Sequence, residues 1–304
     1  MKRNPYPMRC SFISREDAVS KIARVRQLAA ERAEFKSIIK SWDDDMHVGE
    51  TSKRVFAQWK PAGVFGRCLA INLLAAEIMD VCQEAVRARS RYRDNKSPLQ
   101  LWEEAGPVTA KKLADQVRIA RRQCGTWPPL TPRNMRYWCS RSLPYCAHFR
   151  GDLCHDFLQW AWRLMAHSSR GPIDKARPRR LRWMDPCAGW GCRLLAACTS
   201  PVVGAYRGFD PNSGLERGHR MILDLCGQEY AEVCSVEYKT WEEAADSVEM
   251  CTQDLVFTSP PFFDKEHYYC RHEDRSKQAS EAYKTKEDFA RDFVRALVEK
   301  SYGA

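Results

Sequence analysis

A turn with two glycines follows a short apolar segment that ends in an acid, within Trp183–Leu195. Gly189 and Gly191 stand one residue apart, and glycine lets the backbone adopt positive φ and approach a ligand closely. Leu194 stands where the dinucleotide-binding fingerprint has its third glycine, which disfavours a pyrophosphate ligand. The acid, Asp185, instead suits a ligand with a positive charge or an amine. The segment therefore predicts a binding turn for a small molecule of that kind.

A second acid ends the next apolar segment, at Asp210 in the sequence GFDPN. It lies 25 positions after Asp185. An acid at the tip of the second strand of such a unit is placed to accept hydrogen bonds from both hydroxyls of a ribose. The two acids and the glycine turn together indicate a ligand that contains a ribose.

A third segment, Asp254–Phe257, runs through a threonine into Ser259, Pro260, Pro261 and Phe262. Two successive prolines fix φ and remove two backbone donors, so the loop is stiff and its carbonyls are free to accept hydrogen bonds. A serine hydroxyl, a proline carbonyl and an aromatic ring can together hold a planar base by its exocyclic amine. The loop therefore predicts a site for chemistry on such an amine.

These segments resemble the motifs of a known enzyme family. The strings DPCAGWGCRLLAA and TSPPFFDKEHYY are similar to motifs I and IV of S-adenosylmethionine-dependent DNA amino-methyltransferases, and a weaker similarity extends over residues 95–290. The cofactor-binding residues implied by this resemblance are Asp185, Pro186, Ala188, Gly189, Gly191 and Asp210, with Phe149 bordering the methionine end of the cofactor. The implied catalytic residues are Ser259, Pro260, Pro261 and Phe262.

The resemblance implies S-adenosyl-L-methionine as the cofactor and double-stranded DNA as the substrate, as in site-specific phage and bacterial methylases of restriction-modification systems. The target base would be flipped out and stacked on Phe262, while Ser259 and the Pro260 carbonyl accept hydrogen bonds from its amine. Serine at the first position of this loop favours cytosine N4, and adenine N6 stays open. Neither a metal nor a covalent intermediate is needed.

A cluster of potential zinc ligands precedes these motifs. Its members are Cys146, His148, Cys154 and His155. Their spacing matches no common zinc module, and they lie where motif X is expected, so we predict no metal site.

A basic cluster follows the second predicted helix, at Arg87, Arg89, Arg91 and Arg93. It fits either a solvated helix end, where cations complement the helix dipole, or a contact to phosphate. His267, shortly after the proline loop, is predicted to be solvated rather than to contact DNA.

The composition narrows the class of protein. The chain has 304 residues, 44% of them hydrophobic, and a formal net charge of +10 at pH 7. This apolar content excludes a disordered protein, and the positive charge fits either nucleic-acid binding or solubility alone. The longest apolar stretch, Cys68–Cys82, is interrupted by polar residues, and no signal peptide is apparent. We therefore expect no membrane contact and no secretion, with a location in the cytoplasm, nucleoid or nucleus.

The two halves of the chain differ in periodicity. Apolar spacing predicts helices over 15–40, 61–87 and 109–122, and then strands at 181–184, 202–209, 233–238 and 255–257. This alternation predicts an α/β fold with a parallel sheet, and the resemblance implies the Rossmann-like sheet of class I methyltransferases. We divide the chain into a helical N-terminal region (1–125), a connector similar to motif X (126–180) and a cofactor-binding catalytic domain (181–304).

Only strands one to four of that seven-stranded sheet are predicted, since little chain follows the proline loop. We expect a truncated domain, a fold completed by another chain or by self-association, or a protein that no longer catalyses. One alternative function is therefore a non-catalytic remnant that binds cofactor or nucleic acid. Another is a methyltransferase that acts on RNA or on a protein amide.

Overall fold

The computed structural model describes residues 6, 8–30, 64–104, 107–125, 145–168, 179–249 and 252–303. Its strands are β1 (Arg91–Tyr92), β2 (Leu181–Asp185), β3 (Val203–Phe209), β4 (Cys234–Glu237), β5 (Leu255–Val256) and β6 (Glu266–His267). Strands β2 to β5 form one parallel sheet in the order β4-β3-β2-β5. Strands β1 and β6 form a separate antiparallel ribbon of two strands.

The order of the sheet reverses at β2. From β2 the chain adds β3 and β4 on one side, and it returns to the other side of β2 as β5. A crevice for ligands opens beyond the carboxyl ends of parallel strands at such a reversal. The prediction of an α/β fold with a parallel sheet is confirmed, and each strand lies within one residue of its predicted bounds.

Helices surround this sheet, and the three that apolar spacing predicted over 15–40, 61–87 and 109–122 are present where the structure describes them. The helices are α1 (Arg15–Ala30), α2 (Val64–Arg87), α3 (Pro98–Glu104), α4 (Pro107–Cys124), α5 (Gly151–Ser168), α6 (Cys192–Thr199), α7 (Glu216–Cys226), α8 (Trp241–Ala244) and α9 (Arg295–Gly303), with further short helical segments at Gln228–Ala231, Ala279–Ala282 and Lys286–Asp288. A π-helical segment, Phe289–Val294, leads into α9. Residues 31–40 of the first predicted helix lie outside the described residues.

Both faces of the sheet are buried, as expected for parallel strands. Successive residues of a strand point to opposite faces, so Trp183 of β2 belongs to one core cluster and Met184 to the other. The Trp183 cluster includes buried side chains of α1, α2, α5, α6 and α7. The Met184 cluster includes Phe209, Trp241, Phe293 and Leu297, so α8 and the C-terminal helical segment cover that face.

The buried core crosses the boundaries assigned from sequence. Ile22 of α1 and Ile78 of α2 belong to the same core cluster as Trp183 of the sheet, so the N-terminal helices pack as part of one body with β2. Helix α5 lies in the middle of residues 126–180, the range assigned to a connector, and its Leu158 is fully buried. Residues 126–144 and 169–178 lie outside the described part of the chain.

A buried ion pair joins the carboxyl ends of the central strands. Asp185, the last residue of β2, is fully buried and accepts hydrogen bonds from Arg193 Nε at 2.7 Å and Tyr206 Oη at 2.7 Å. Its other oxygen accepts from Thr258 Oγ1 at 2.6 Å. Burial disfavours the charged guanidinium of Arg193, but the Asp185 carboxylate, its hydrogen bond and the nearby Tyr206 together outweigh this effect and raise the pKa of Arg193. One carboxylate therefore ties β2 to β3, to α6 and to the segment after β5.

We expect Arg193→Met to lower the free energy of unfolding by about 3–5 kcal/mol, because the Asp185 carboxylate would stay buried without its cation. Arg295→Met is the matched control, since Arg295 pairs with Glu299 at 2.7 Å on the surface. The control should change stability by less than about 0.5 kcal/mol. Urea unfolding measures both, and equal losses would show that the buried pair does not constrain the fold.

Candidate functional site

A cavity of about 700 Å³ lies at the carboxyl ends of the parallel strands. All four strands contribute to its lining, through the segments Pro186–Trp190 after β2, Asp210–Asn212 after β3, Thr240–Glu242 after β4 and Ser259–Phe262 after β5. The segments Ala147–Arg150 and Ser276–Ala279 add further walls. The glycine turn, the second acid and the proline loop, which are far apart in the sequence, therefore open onto one space.

The two positions of the turn favour glycine for different structural reasons. Gly191 has a φ of +90°, and a Cβ there would lie 2.8 Å from both His219 Cδ2 and Ile222 Cδ1. Gly189 has a φ of +56°, yet a Cβ there would meet only the Cys187 carbonyl at 3.9 Å. Gly191 is thus required by packing against α7, while Gly189 leaves open space on the cavity side of the turn.

Asp210 holds the glycine turn against the end of β3. Its Oδ2 accepts from the Gly189 N–H at 2.8 Å, and its Oδ1 accepts from the Asn212 N–H at 2.9 Å. Burial raises the pKa of Asp210 to about 6, although these two backbone hydrogen bonds act in the opposite direction. The carboxyl group lines the cavity and is ionised at neutral pH, so it is available as an acceptor for a ligand.

His219 also contacts the glycine turn, and no feature of the sequence predicted this role. Its Nε2 donates to the Gly189 carbonyl at 2.9 Å, and the Tyr238 hydroxyl, 3.1 Å away, donates to its Nδ1. Burial lowers the pKa of His219 to about 4, so the ring is neutral at physiological pH and can act as donor and acceptor at once. The conformation of Gly189 is therefore fixed on both sides, by Asp210 at its N–H and by His219 at its carbonyl.

The proline loop is anchored at both ends. On one side, Thr258 donates to Asp185, and the Phe257 carbonyl accepts from Trp183 Nε1 at 2.9 Å. On the other side, the Phe263 ring lies 5.6 Å from that of Phe289. Between these anchors Ser259 is half-buried and Phe262 is 55% exposed, so the loop presents a rigid polar and aromatic edge to the cavity.

Two predicted cofactor-binding residues do not line the cavity, namely Asp185 and Gly191. The cation that Asp185 faces is the protein's own Arg193, because the strand end points this carboxylate into the core. The other predicted residues all line the cavity: Phe149, Pro186, Ala188, Gly189, Asp210, Ser259, Pro260, Pro261 and Phe262. The Phe149 ring lies 5.1 Å from the Arg193 guanidinium and 5.9 Å from the Phe257 ring.

The end of the cavity beside β4 holds polar groups that the sequence analysis missed. Trp241 and Gln278 both line it, and among the described residues their buried side-chain nitrogens have no hydrogen-bond partner. Glu242 lines it as well and accepts from the Tyr283 hydroxyl. Trp241 lies four positions after the end of β4, at the start of α8, and this place beyond the carboxyl end of a strand is the signal that could have found it.

The four potential zinc ligands have other surroundings. His148 lies 2.9 Å from Asp80, and His155 lies 3.2 Å from the Thr199 hydroxyl. Cys146 and Cys154 are buried, and burial raises the pKa of the Cys146 thiol to about 12. Within the residues that the structure describes, no group of three or more His, Cys, Asp or Glu side chains could hold a metal ion.

Comparison of the chain with protein-family models, with curated proteins and with solved structures finds no match. Among the described helices, none is long and apolar enough to cross a lipid bilayer.

The two glycines predict losses of stability of different size for the same substitution. Gly191→Ala should lower the free energy of unfolding by about 2 kcal/mol or more, because the methyl group overlaps His219 and Ile222 in addition to its backbone strain. Gly189→Ala should lower it by about 1 kcal/mol, from the positive φ alone. Urea unfolding of both variants tests this order, and a larger loss for Gly189→Ala would contradict the packing argument.

Proposed function

We propose that this chain is an S-adenosylmethionine-dependent methyltransferase that modifies an exocyclic amine of a DNA base, with cytosine N4 favoured over adenine N6. The observation that supports the proposal most is the shared cavity. It brings the glycine turn and Asp210 into one space with the Ser259–Phe262 loop, although Gly189 and Ser259 are 70 residues apart in the chain. The strand order β4-β3-β2-β5 supports the same proposal, since it has the reversal typical of a Rossmann-like sheet.

The residues present fit the cofactor. Gly189 leaves space for a ligand beside the backbone, and the Asp210 carboxylate is an acceptor suited to ribose hydroxyls. The unpartnered N–H groups of Trp241 and Gln278 are donors that a heteroaromatic ring with acceptor nitrogens would satisfy. When bound, the cofactor supplies a methyl group activated by a sulfonium ion.

The proline loop would act on the amine that receives this methyl group. Ser259 Oγ and the Pro260 carbonyl would accept hydrogen bonds from the two N–H bonds, which draws the nitrogen lone pair out of the base ring and towards the methyl carbon. Phe262 would stack on the flipped base. Methyl transfer would form the nitrogen–carbon bond and break the carbon–sulfur bond, with the electron pair of the broken bond left on sulfur, and the amine would release one proton to solvent. A DNA substrate would place the protein in the cytoplasm, nucleoid or nucleus.

The decisive experiment incubates the purified protein with methyl-labelled S-adenosylmethionine and duplex DNA, followed by nucleoside analysis with mass spectrometry. Label in N4-methylcytosine is the expected result, and label in N6-methyladenine would support the same function with adenine N6 as the target. Ser259→Ala should lower kcat by roughly 10²- to 10³-fold, because one acceptor for the amine is lost. Its Kd for the cofactor should stay within about twofold of the unchanged protein.

Ser235→Ala is the matched control, since Ser235 is an exposed serine on β4 that does not line the cavity. It should leave both kcat and cofactor affinity unchanged. Transfer that persists in Ser259→Ala would refute the assignment of the loop. Cofactor binding without label in DNA would favour a non-catalytic binding protein, and label in RNA or in a protein amide would replace the proposed substrate.

The raised pKa of Asp210 predicts a pH dependence of cofactor binding. Above about pH 6 the group is ionised and can accept the ribose hydroxyls, whereas below that pH it is protonated and loses an acceptor position. The affinity for S-adenosylhomocysteine, the cofactor without its methyl group, should therefore fall by up to about tenfold per pH unit as the pH drops below this value. Calorimetry between about pH 5 and pH 8 measures it.

Asp210→Asn provides the control for this titration. It should bind S-adenosylhomocysteine more weakly at neutral pH, and its affinity should not change with pH over the same range. His219, whose pKa is lowered to about 4, stays neutral throughout that range. An unchanged profile in Asp210→Asn would assign the titration to another group.

A further inference from the structure

The ribbon of β1 and β6 places a basic segment beside the proline loop. Arg91 pairs with His267 and Tyr92 with Glu266 across the two strands, and the Arg93 N–H donates to the Lys265 carbonyl at 2.6 Å. Lys265 follows Phe262 by only three positions. Two of the arginines from the sequence cluster therefore lie next to the mouth of the cavity, although about 170 residues separate the strands along the chain.

Four cations form this surface, which we call the basic ribbon: Arg89, Arg91, Arg93 and Lys265. All four are exposed. In the part of the chain that the structure describes, none of them makes an ion pair. Arg87, the remaining member of the sequence cluster, differs because it is buried and paired with Asp80. The cluster thus divides into one structural arginine and an outward-facing basic surface.

The acidic residues nearby do not neutralise this surface. Asp94 and Asp264 are exposed next to Arg93 and Lys265 in the sequence. The four cations and these two carboxylates together carry a net charge of +2. Glu266, on the opposite face of the ribbon, is buried and accepts a hydrogen bond from the Tyr268 hydroxyl. The exposed face is therefore cationic while its acidic partner faces inward.

Exposed aromatic rings alternate with these cations. Lys265 Nζ lies 5.7 Å from the centre of the Phe262 ring, and the Arg89 guanidinium lies 5.5 Å from that of Tyr269. Phe262 and Tyr269 are 55% and 50% exposed. The backbone of Tyr269 is held in place, because its N–H donates to Ser90 Oγ at 2.8 Å and its carbonyl accepts from Asn212. Cations beside exposed aromatic rings suit a ligand with both phosphates and bases, whereas an acidic protein surface would use only the charges.

We infer that the basic ribbon binds the sugar-phosphate backbone of duplex DNA, next to the nucleotide whose base enters the cavity. The inference rests on the proposed function for the nature of the substrate, but the contact to phosphate does not require catalysis. Each phosphate that a cation neutralises releases condensed counterions, so these contacts contribute to the salt dependence of DNA binding. The Ser259–Phe262 loop would then receive a strand that is already aligned on the ribbon.

The test compares DNA binding by a triple variant, Arg91→Gln with Arg93→Gln and Lys265→Gln, and by the unchanged protein, using fluorescence anisotropy with duplex DNA over a range of salt concentrations. Loss of three phosphate contacts should reduce the slope of log K against log salt by about 2 to 3, at roughly 0.9 per contact. Affinity at low salt should fall by roughly 10²- to 10³-fold. Affinity for S-adenosylhomocysteine, measured by calorimetry, should be unchanged.

The matched control removes the same charge elsewhere, through Arg15→Gln, Arg24→Gln and Arg118→Gln, which are exposed residues of α1 and α4. Its salt slope should match that of the unchanged protein. Equal slopes in the two triple variants would overturn the inference, and so would competition by polyglutamate as effective as that by duplex DNA. If the ribbon variant lowers the salt slope but the unchanged protein transfers no methyl group, the inference stands and the proposed function is refuted. If the protein transfers methyl groups but the ribbon variant leaves the salt slope unchanged, the proposed function stands and the inference is refuted.

Discussion

The buried carboxylate of Asp185 is the constraint on which the remaining structure of the site depends. An ionised group inside a protein has to be matched by a cation and by hydrogen bonds, because its desolvation is otherwise costly. Arg193, Tyr206 and Thr258 meet that requirement, and they come from α6, from β3 and from the segment after β5. Satisfying one charge therefore sets the relative positions of three elements. The glycine turn and the proline loop begin directly after residues that take part in this network.

Burial also shifts the pKa values of the two side chains that hold the glycine turn. Asp210 and His219 both contact Gly189, and burial moves their pKa values in opposite senses, to about 6 and about 4. At neutral pH the carboxyl group is ionised and the imidazole is neutral, so the turn is held by one charged acceptor and one uncharged donor. A charged imidazole at this position would add a cation to the turn without a carboxylate to pair with it. The neutral ring stabilises the backbone and leaves the charge of Asp210 available to the cavity.

The sequence was sufficient to predict the four strands, their parallel arrangement and nine residues of the cavity lining, because alternating apolar segments and glycine or proline turns are local signals. It could not show that Asp185 points into the core, since the end of a strand fixes a position but not which side chain meets a buried partner. His219 gave no signal, because it acts through a contact with Gly189, 30 positions away in the chain. Helix α5 lay within a range interpreted as a connector. The pairing of β1 with β6 depends on two residues per strand, too few for a periodicity to appear.

The pairing of β1 with β6, which carries the basic ribbon, joins segments that are very far apart in the chain. Next to it, Ser90 and Tyr269 are hydrogen-bonded across 179 positions. Bringing such distant segments together is opposed by chain entropy, which two short strands cannot offset by themselves. The ribbon is therefore expected to form after the intervening sheet has already brought its two halves close together. Partly folded chains would have the strands of the sheet but not the ordered cationic face. In this order of assembly, the surface that we propose for DNA binding becomes organised only once the cavity beside it exists.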